Sequence, residues 1–241
     1  MGGTFLPRGL SILYEDRDVL VVDKPAGLLT ISTEGERSRT AYFALTDYVR
    51  KGAVRSRHRV FIVHRLDRET SGILVVAKHA AAKFALQRRW DETEKRYLAV
   101  VHGRCPARAA TITSYLAENR AHRVFSTREP GQGRLARTRY AVLKTTRDFT
   151  LLDVELLTGR KHQIRVHLAD QGHPIVGDRM YGPPDSPYRH LALHARSLAF
   201  PHPVTGEGLT CVAPPPALFR QLVGSFGHLL GDGEGGARIR G

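Results

Sequence analysis

The stretch VHRLDRETSG, residues 63–72, sets one carboxylate, Asp67, between Arg65 and Arg68, with His64 close by. Neighbouring guanidinium groups favour the ionised form of a carboxyl group and lower its pKa. An acid held in that state suits a nucleophile or an electrostatic stabiliser at neutral pH, and does not suit a general acid. The Thr-Ser-Gly that follows adds two hydroxyls and a backbone position without a side chain, so the loop can come close to a ligand. The same residues also make an ordinary surface ion pair, which contributes little to stability. The decapeptide alone leaves both uses open.

Other spacings carry other chemistries. Asp67 and Glu69 lie two apart, so on a strand they share a face. A retaining glycosidase needs its carboxyl groups about 5–5.5 Å apart, but Glu69 sits among turn-forming residues and no aromatic ring for a sugar lies nearby. His162 and His167 are five apart, not the four that put two ligands on one helix face. With no HExxH and no CxxC, a zinc site is not expected. With no Walker A loop and no GxGxxG after a strand, a nucleotide cofactor is not expected either. Tyr97, in KRYLAVVHG beside Lys95 and Arg96, is a strand tyrosine that either packs or stacks under a base. Arg165, in TGRKHQIRVH, sits between apolar positions. Facing outward it is solvated; facing inward it needs an anion, because a buried charge without a partner is costly. Asp67 is the natural candidate.

The charge points to the partner. Lys and Arg number 37 against 23 acids, a formal net charge of +14. A domain this basic commonly meets a polyanion, and a phosphate backbone is the commonest. The excess is concentrated. Residues 48–66 hold Arg50, Lys51, Arg55, Arg57, Arg59 and Arg65 with no acid, and residues 120–147 hold eight basic residues against Glu129 alone. Arginine predominates in both, and its planar fork matches phosphate better than an ammonium does.

The elements that must position these residues are legible as short apolar runs. DVLVVDK, GILVVAK, RYLAVVHG, TRYAVLK and FTLLDVELL read as strands. TAYFALTDYVRKG reads as a helix with Ala41, Ala44, Leu45, Tyr48 and Val49 on one stripe and Gly52 as its stop. HAAAKFALQRRWDET is a second helix, rich in strong helix formers. GRKHQIRVHLADQG is a third, closed by Gly172, with Ile164 and Leu168 on its core stripe and Arg165 facing elsewhere. HPIVGDRMYGPPDSPYRH and VAPPPALF read as loops. Strands outnumber helices and follow one another directly, which predicts an α+β fold with a mixed, mostly antiparallel sheet.

A length of 241 residues with 41% hydrophobic content allows a substantial core. Residues 10–228 read as one globular unit, residues 1–9 as a flexible N-terminus, and the Gly-rich end, residues 229–241, as a disordered tail. No apolar stretch approaches the roughly 20 residues that cross a bilayer. The start, MGGTFLPRGL, has no signal-peptide apolar region, and Leu6 breaks the myristoylation pattern. Cys105 and Cys211 are far apart and read as reduced residues. These features predict a cytoplasmic, monomeric protein.

Four segments in order carry a resemblance: VVDKPAGLLT at 21–30, HRLDRETSG at 64–72, KRYLAVVHG at 95–103 and LTGRKHQIRVHLADQGHPIVGDRMYG at 157–182, with HLALHARSLAFPHP at 190–203 as a fifth. The chain resembles the RluA-type RNA pseudouridine synthases over nearly all its length outside the tails. The resemblance implies an α+β catalytic domain with an extended mixed sheet, flanking helices and a central basic cleft. It implies RNA as partner, in an rRNA or tRNA stem-loop, and neither metal nor cofactor. It makes Asp67 the catalytic aspartate, Tyr97 the ring that stacks on uracil, and Arg165 the partner that holds Asp67 ionised. It makes Arg65 the residue that helps flip the uridine and fill its space. It places His64, Arg160, Lys161, His162 and Leu193 at the RNA or near the base. The first block begins at about residue 12, so the resemblance is to members without an S4 RNA-binding domain, and residues 120–147 are the candidate RNA-facing insertion. A non-catalytic RNA-binding factor of the same fold, and a nucleoside hydrolase using Asp67 with Glu69, are the competing classes.

Overall fold

In a computed structural model, residues 6–32, 35–36, 38–51, 53, 55–230 and 236–240 are described. Among them are twelve strands and four α-helices. In chain order these are β1 (Ser11–Glu15), β2 (Val19–Lys24), α1 (Ala41–Arg50), β3 (Phe61–Ile62), β4 (Ser71–Ala77), α2 (Ala80–Arg88) and β5 (Glu94–His102). There follow β6 (Ala109–Glu118), β7 (Val124–Thr127), β8 (Arg134–Thr145), β9 (Phe149–Leu156) and α3 (Gln163–Asp170). The last are β10 (Leu193–Pro201), β11 (Gly208–Val212), α4 (Ala217–Val223) and β12 (Gly236–Arg240). The expected α+β class with mostly antiparallel pairing is what forms, and the five strands read from sequence are β2, β4, β5, β8 and β9.

The chain divides into two compact units. The first comprises residues 1–93, 196–214 and 234–241; the second comprises 94–195 and 215–233. One of the chain's crossings between them, at residues 195 and 196, falls inside β10, an uninterrupted strand, so no composition change marks it.

In the first unit β1, β2 and β4 pair antiparallel, and β3 adds to β4. Side chains alternate across a strand. Val19, Val21, Ile73 and Val75 therefore pack toward Ala82 and Leu86 of α2, together with Leu198, Phe200 and Cys211. Leu20, Val22, Leu74 and Val76 pack toward Ala41 and Leu45 of α1. Both faces of β2 and β4 are covered, which is why each reads as an unbroken apolar run. Helix α1 starts at Thr40, whose side chain accepts from Phe43 N at 3.1 Å. It stops at Lys51, in the left-handed region at φ 53°. Gly52, the stop expected from sequence, lies outside the described residues. Strand β11 pairs with β10, and β12 pairs with β11, so residues 236–240 are a strand where a tail was expected. Asp16 knots the β1–β2 turn. Its Oδ1 accepts from Asp18 N and Val19 N, and its Oδ2 from Tyr14 OH and His202 Nε2, each at 2.8 Å. Among the described residues Asp16, Asp18 and His202 bring ligand-type atoms within 4.8 Å of one another, and these bonds occupy the lone pairs of Asp16.

In the second unit the strand order is β5-β9-β8-β6-β7, antiparallel throughout. Leu98, Val100, Leu151 and Val154 pack with Ile164 and Leu168 of α3 and with Phe219 and Val223 of α4. Helix α4 begins inside VAPPPALF, so the prolines of that segment end at a helix start rather than extending a loop. Gly172, at φ 79°, follows the end of α3 as expected. Residues Gln163 to Leu168 are all buried, Arg165 included, so α3 has no solvent stripe. Its polar groups are satisfied inside. Gln163 Oε1 accepts from Thr158 Oγ1 and Arg160 N, and its Nε2 donates to Arg137 O and Thr138 Oγ1. His167 lies between Ser114 Oγ at 3.0 Å and Thr138 Oγ1 at 2.9 Å.

Burial lowers the His167 pKa from 6.5 to about 4. Between those values the unfolded chain binds a proton that the folded chain refuses, so stability falls as pH drops from 6.5 toward 4. For this fully buried ring the loss is about 3 kcal/mol. Urea unfolding at pH 7 and pH 4 should show that loss in the wild type and a smaller one in His167→Gln; equal losses would remove His167 as the cause.

Candidate active site

Asp67 lies in the turn between β3 and β4, half-buried, and the chain is fastened on both sides of it. On one side Thr30 Oγ1 donates to Leu66 O at 2.8 Å and accepts from Leu66 N at 3.2 Å. On the other, Arg68 O accepts from Gly27 N at 2.8 Å and from Lys24 Nζ at 3.2 Å. Lys24 Nζ also donates to Pro25 O and Leu28 O, both at 2.9 Å. Lys24 is fully buried. Burial lowers its pKa to about 8, against the opposing pull of Glu69, Asp67 and Asp23. It is a buried cation near Asp67 that ties the 25–28 turn to the 67–70 turn. In β4, Gly72 stands opposite Lys24 at φ 109°, a conformation that glycine adopts without strain.

Around that turn, Arg65 is exposed and Arg68 is exposed beside Glu69 at 3.8 Å. His64 is held by the fold. Its Nε2 accepts from Val75 N at 3.0 Å, and its ring stacks on Trp90 with centroids 4.7 Å apart.

Thr30 and Lys24 are thus positioning residues for Asp67, and sequence reading passed over both. Lys24 left a signal: a lysine ending an apolar strand run before Pro-Ala-Gly. Thr30→Val should cost about 2 kcal/mol, because two buried backbone groups lose their partner. It should also lower kcat about 10-fold or more with KM little changed. An unchanged kcat would show that the Leu66 anchor does not set the Asp67 geometry.

In the second unit, Arg165 of α3 donates Nε to Asp178 Oδ2 at 2.7 Å and Nη2 to Asp178 Oδ1 at 2.8 Å. The guanidinium also lies 5.1 Å from the centre of the Tyr181 ring. Asp178 Oδ1 accepts from Met180 N and Tyr181 N as well. Burial alone would raise the Asp178 pKa, but the Arg165 guanidinium and those amides hold it below the usual carboxylate value. Asp178, which the sequence did not single out, takes the Nε and Nη2 donors of Arg165. Its loop, GDRMYG, depends on Gly177 at φ 78°, where a Cβ would stand 2.0 Å from His190 O.

The other second-unit candidates are tied to the same framework. His162 caps α3 in the left-handed region and meets Tyr181 OH through Nδ1 at 2.9 Å. Arg160 Nε donates to Leu135 O, and Lys161 Nζ donates to Glu118 Oε1 and His122 O. Tyr97 of β5, opposite Val154 of β9, is half-buried against the core. Leu193, at the start of β10, is buried in it. In the 120–147 stretch, Arg120, Arg123, Arg128, Arg134, Arg137, Arg139 and Arg147 are all exposed.

The human RNA Pseudouridylate Synthase Domain Containing 1 structure is similar, with a TM-score of 0.71 and 29% identity over 90% of this chain and 86% of that one. The fold is that of a pseudouridine synthase domain. In sequence, residues 18–170 match the family described as RNA pseudouridylate synthase. The uncharacterized RNA pseudouridine synthase YhcT of Bacillus subtilis is 37% identical over 223 residues, 90% of this chain and 72% of that protein. An uncharacterized RNA pseudouridine synthase of Chloroflexus aurantiacus is 42% identical over 209 residues, 83% of this chain and 65% of that protein. The chain belongs to the RNA pseudouridylate synthase family, and its activity is that of an isomerase. No helix among the described residues is long and apolar enough to cross a membrane.

Proposed function

We propose that this enzyme converts uridine to pseudouridine in a structured rRNA or tRNA stem-loop, acting as a cytoplasmic monomer without metal or cofactor. The reaction exchanges the N1–C1′ glycosidic bond for a C5–C1′ bond; C5 loses a proton and N1 gains one. Nothing is oxidised and no group leaves, so no co-reactant is needed. The target base is inaccessible in a helix and must be extruded first.

Asp67 is the anionic group on which the bond exchange depends. The observation that supports this role is its double anchoring, by Thr30 at Leu66 and by Lys24 and Gly27 at Arg68. A turn fastened on both flanks holds a carboxylate in a fixed geometry at little entropic cost during reaction. Arg65, exposed two residues before it, takes the space that the extruded uridine leaves. Tyr97 stacks on uracil and Arg165 maintains the ionised aspartate. His64, Leu193, Arg160, Lys161 and His162 contribute to the RNA and base contacts or hold the residues that do. The exposed arginines of 120–147 meet phosphates.

The test is a map of pseudouridine in total RNA from cells lacking the gene, before and after incubation with the protein. New sites identify the target; none, with an intact ribosomal precursor and tRNA present, would overturn the reading. Replacing Arg134 and Arg137 by Gln should weaken RNA binding and reduce the slope of log K against log salt by about 1.5. An unchanged slope would place that stretch away from RNA.

A further inference from the structure

The first unit carries a basic surface of its own. The C-terminal end of α1, the 55–59 segment and the start of α2 border a groove of about 720 Å³. Arg50, Arg57, His58, Arg59, Phe61 and Lys78 line it, and no carboxylate does. The segment is fastened there: Arg50 Nε donates to His58 O at 3.0 Å, and His58 N donates to Ser56 Oγ at 3.2 Å. Lys78 is already neutralised, by Glu15 at 2.8 Å. Arg57 and Arg59 are exposed, and among the described residues neither forms an ion pair. The Arg59 guanidinium lies 5.1 Å from the centre of the Phe61 ring.

We propose that this groove is a binding site for the RNA phosphodiester backbone flanking the target uridine, with Arg57 and Arg59 as its phosphate contacts. The proposal rests on the RNA-modifying reading above and adds a site to it. A concave wall with unneutralised arginines and no acid attracts polyanions specifically into the groove. The Arg59 guanidinium over the Phe61 ring adds π-faced groups on which a base can stack, which favours nucleic acid over other polyanions. Arg59 precedes Asp67 by eight residues, so the two are at most about 28 Å apart along the chain. The groove is therefore within a few nucleotides' reach of the reacting base.

The test compares wild type, Arg57→Glu/Arg59→Glu and Arg57→Gln/Arg59→Gln, with Arg220→Glu, an exposed arginine in α4, as a charge control. The probe is the transcript that the wild type modifies. Both double variants should bind it about tenfold more weakly at 0.15 M salt, and the Gln pair should reduce the salt slope by about 1.5. KM should rise while kcat at saturating RNA holds, and Arg220→Glu should bind like wild type. The Gln pair keeps the test valid if the reversed charges disturb folding. Wild-type affinity and salt slope in the Gln pair, with turnover intact, would overturn the groove and leave the enzymatic reading standing. A wild-type protein that modifies no RNA would overturn both.

Discussion

Asp67→Asn is expected to abolish turnover, by about 10³-fold or more, while RNA affinity stays within about threefold of wild type. The substitution keeps the shape of the side chain. It leaves the Thr30–Leu66 bonds and the Lys24 and Gly27 bonds to Arg68 in place, because all of these use the backbone beside Asp67 and not its carboxylate. What it removes is the negative charge on which bond exchange depends. Affinity for a polyanion comes from the cations that meet its phosphates, so deleting an anion does not weaken it. Release of the C5 proton from labelled uridine measures turnover, and filter binding measures affinity. Turnover within tenfold of wild type would remove Asp67 from the chemistry. Loss of both activity and binding would mean that the turn had collapsed, and Thr30→Val separates that case, because it loosens the turn and keeps the carboxylate.

The second large effect is structural. Asp178→Ala should destabilise the protein by about 3–5 kcal/mol, because it takes the bidentate partner from a buried guanidinium. The Asp178 side chain is 0% and that of Arg165 10% exposed, so solvent cannot make up the difference. At about 2–4 °C per kcal/mol for a chain of this size, the melting midpoint should fall by roughly 6–20 °C. Replacing the pair together, Arg165→Met with Asp178→Asn, should recover part of that stability, since no charge is left buried without its partner and the Asn oxygen still accepts from the Met180 and Tyr181 amides. It should not recover turnover, because the role proposed for Arg165 is lost with its guanidinium. Calorimetry and the turnover assay on the same samples decide the matter. An active, stable double variant would reduce Arg165 to a packing residue.

The short-range parts of this structure were legible in the sequence. Strands β2 and β4 are unbroken apolar runs because α1 covers one face of them and α2 the other. The end of α3 is fixed locally, by Gly172 adopting a left-handed turn. The 64–72 motif marks Asp67 because its residue types are adjacent in the chain. Tertiary structure decided what depends on groups distant in sequence. Asp178 meets Arg165 across thirteen residues and a glycine turn, and Lys24 reaches Arg68 across forty-four. The 236–240 strand is held by its pairing with β11 and by Ala237 against the core of the first unit. Helix α3 gave no outward sign that it would be buried on every side, because Gln163, Arg165 and His167 look like solvent-facing residues until the partners that satisfy them are in place. A periodic pattern reports burial only when the buried residues are apolar. Where polar groups are buried in pairs, the information lies in the partner, and chain folding alone brings the partner near.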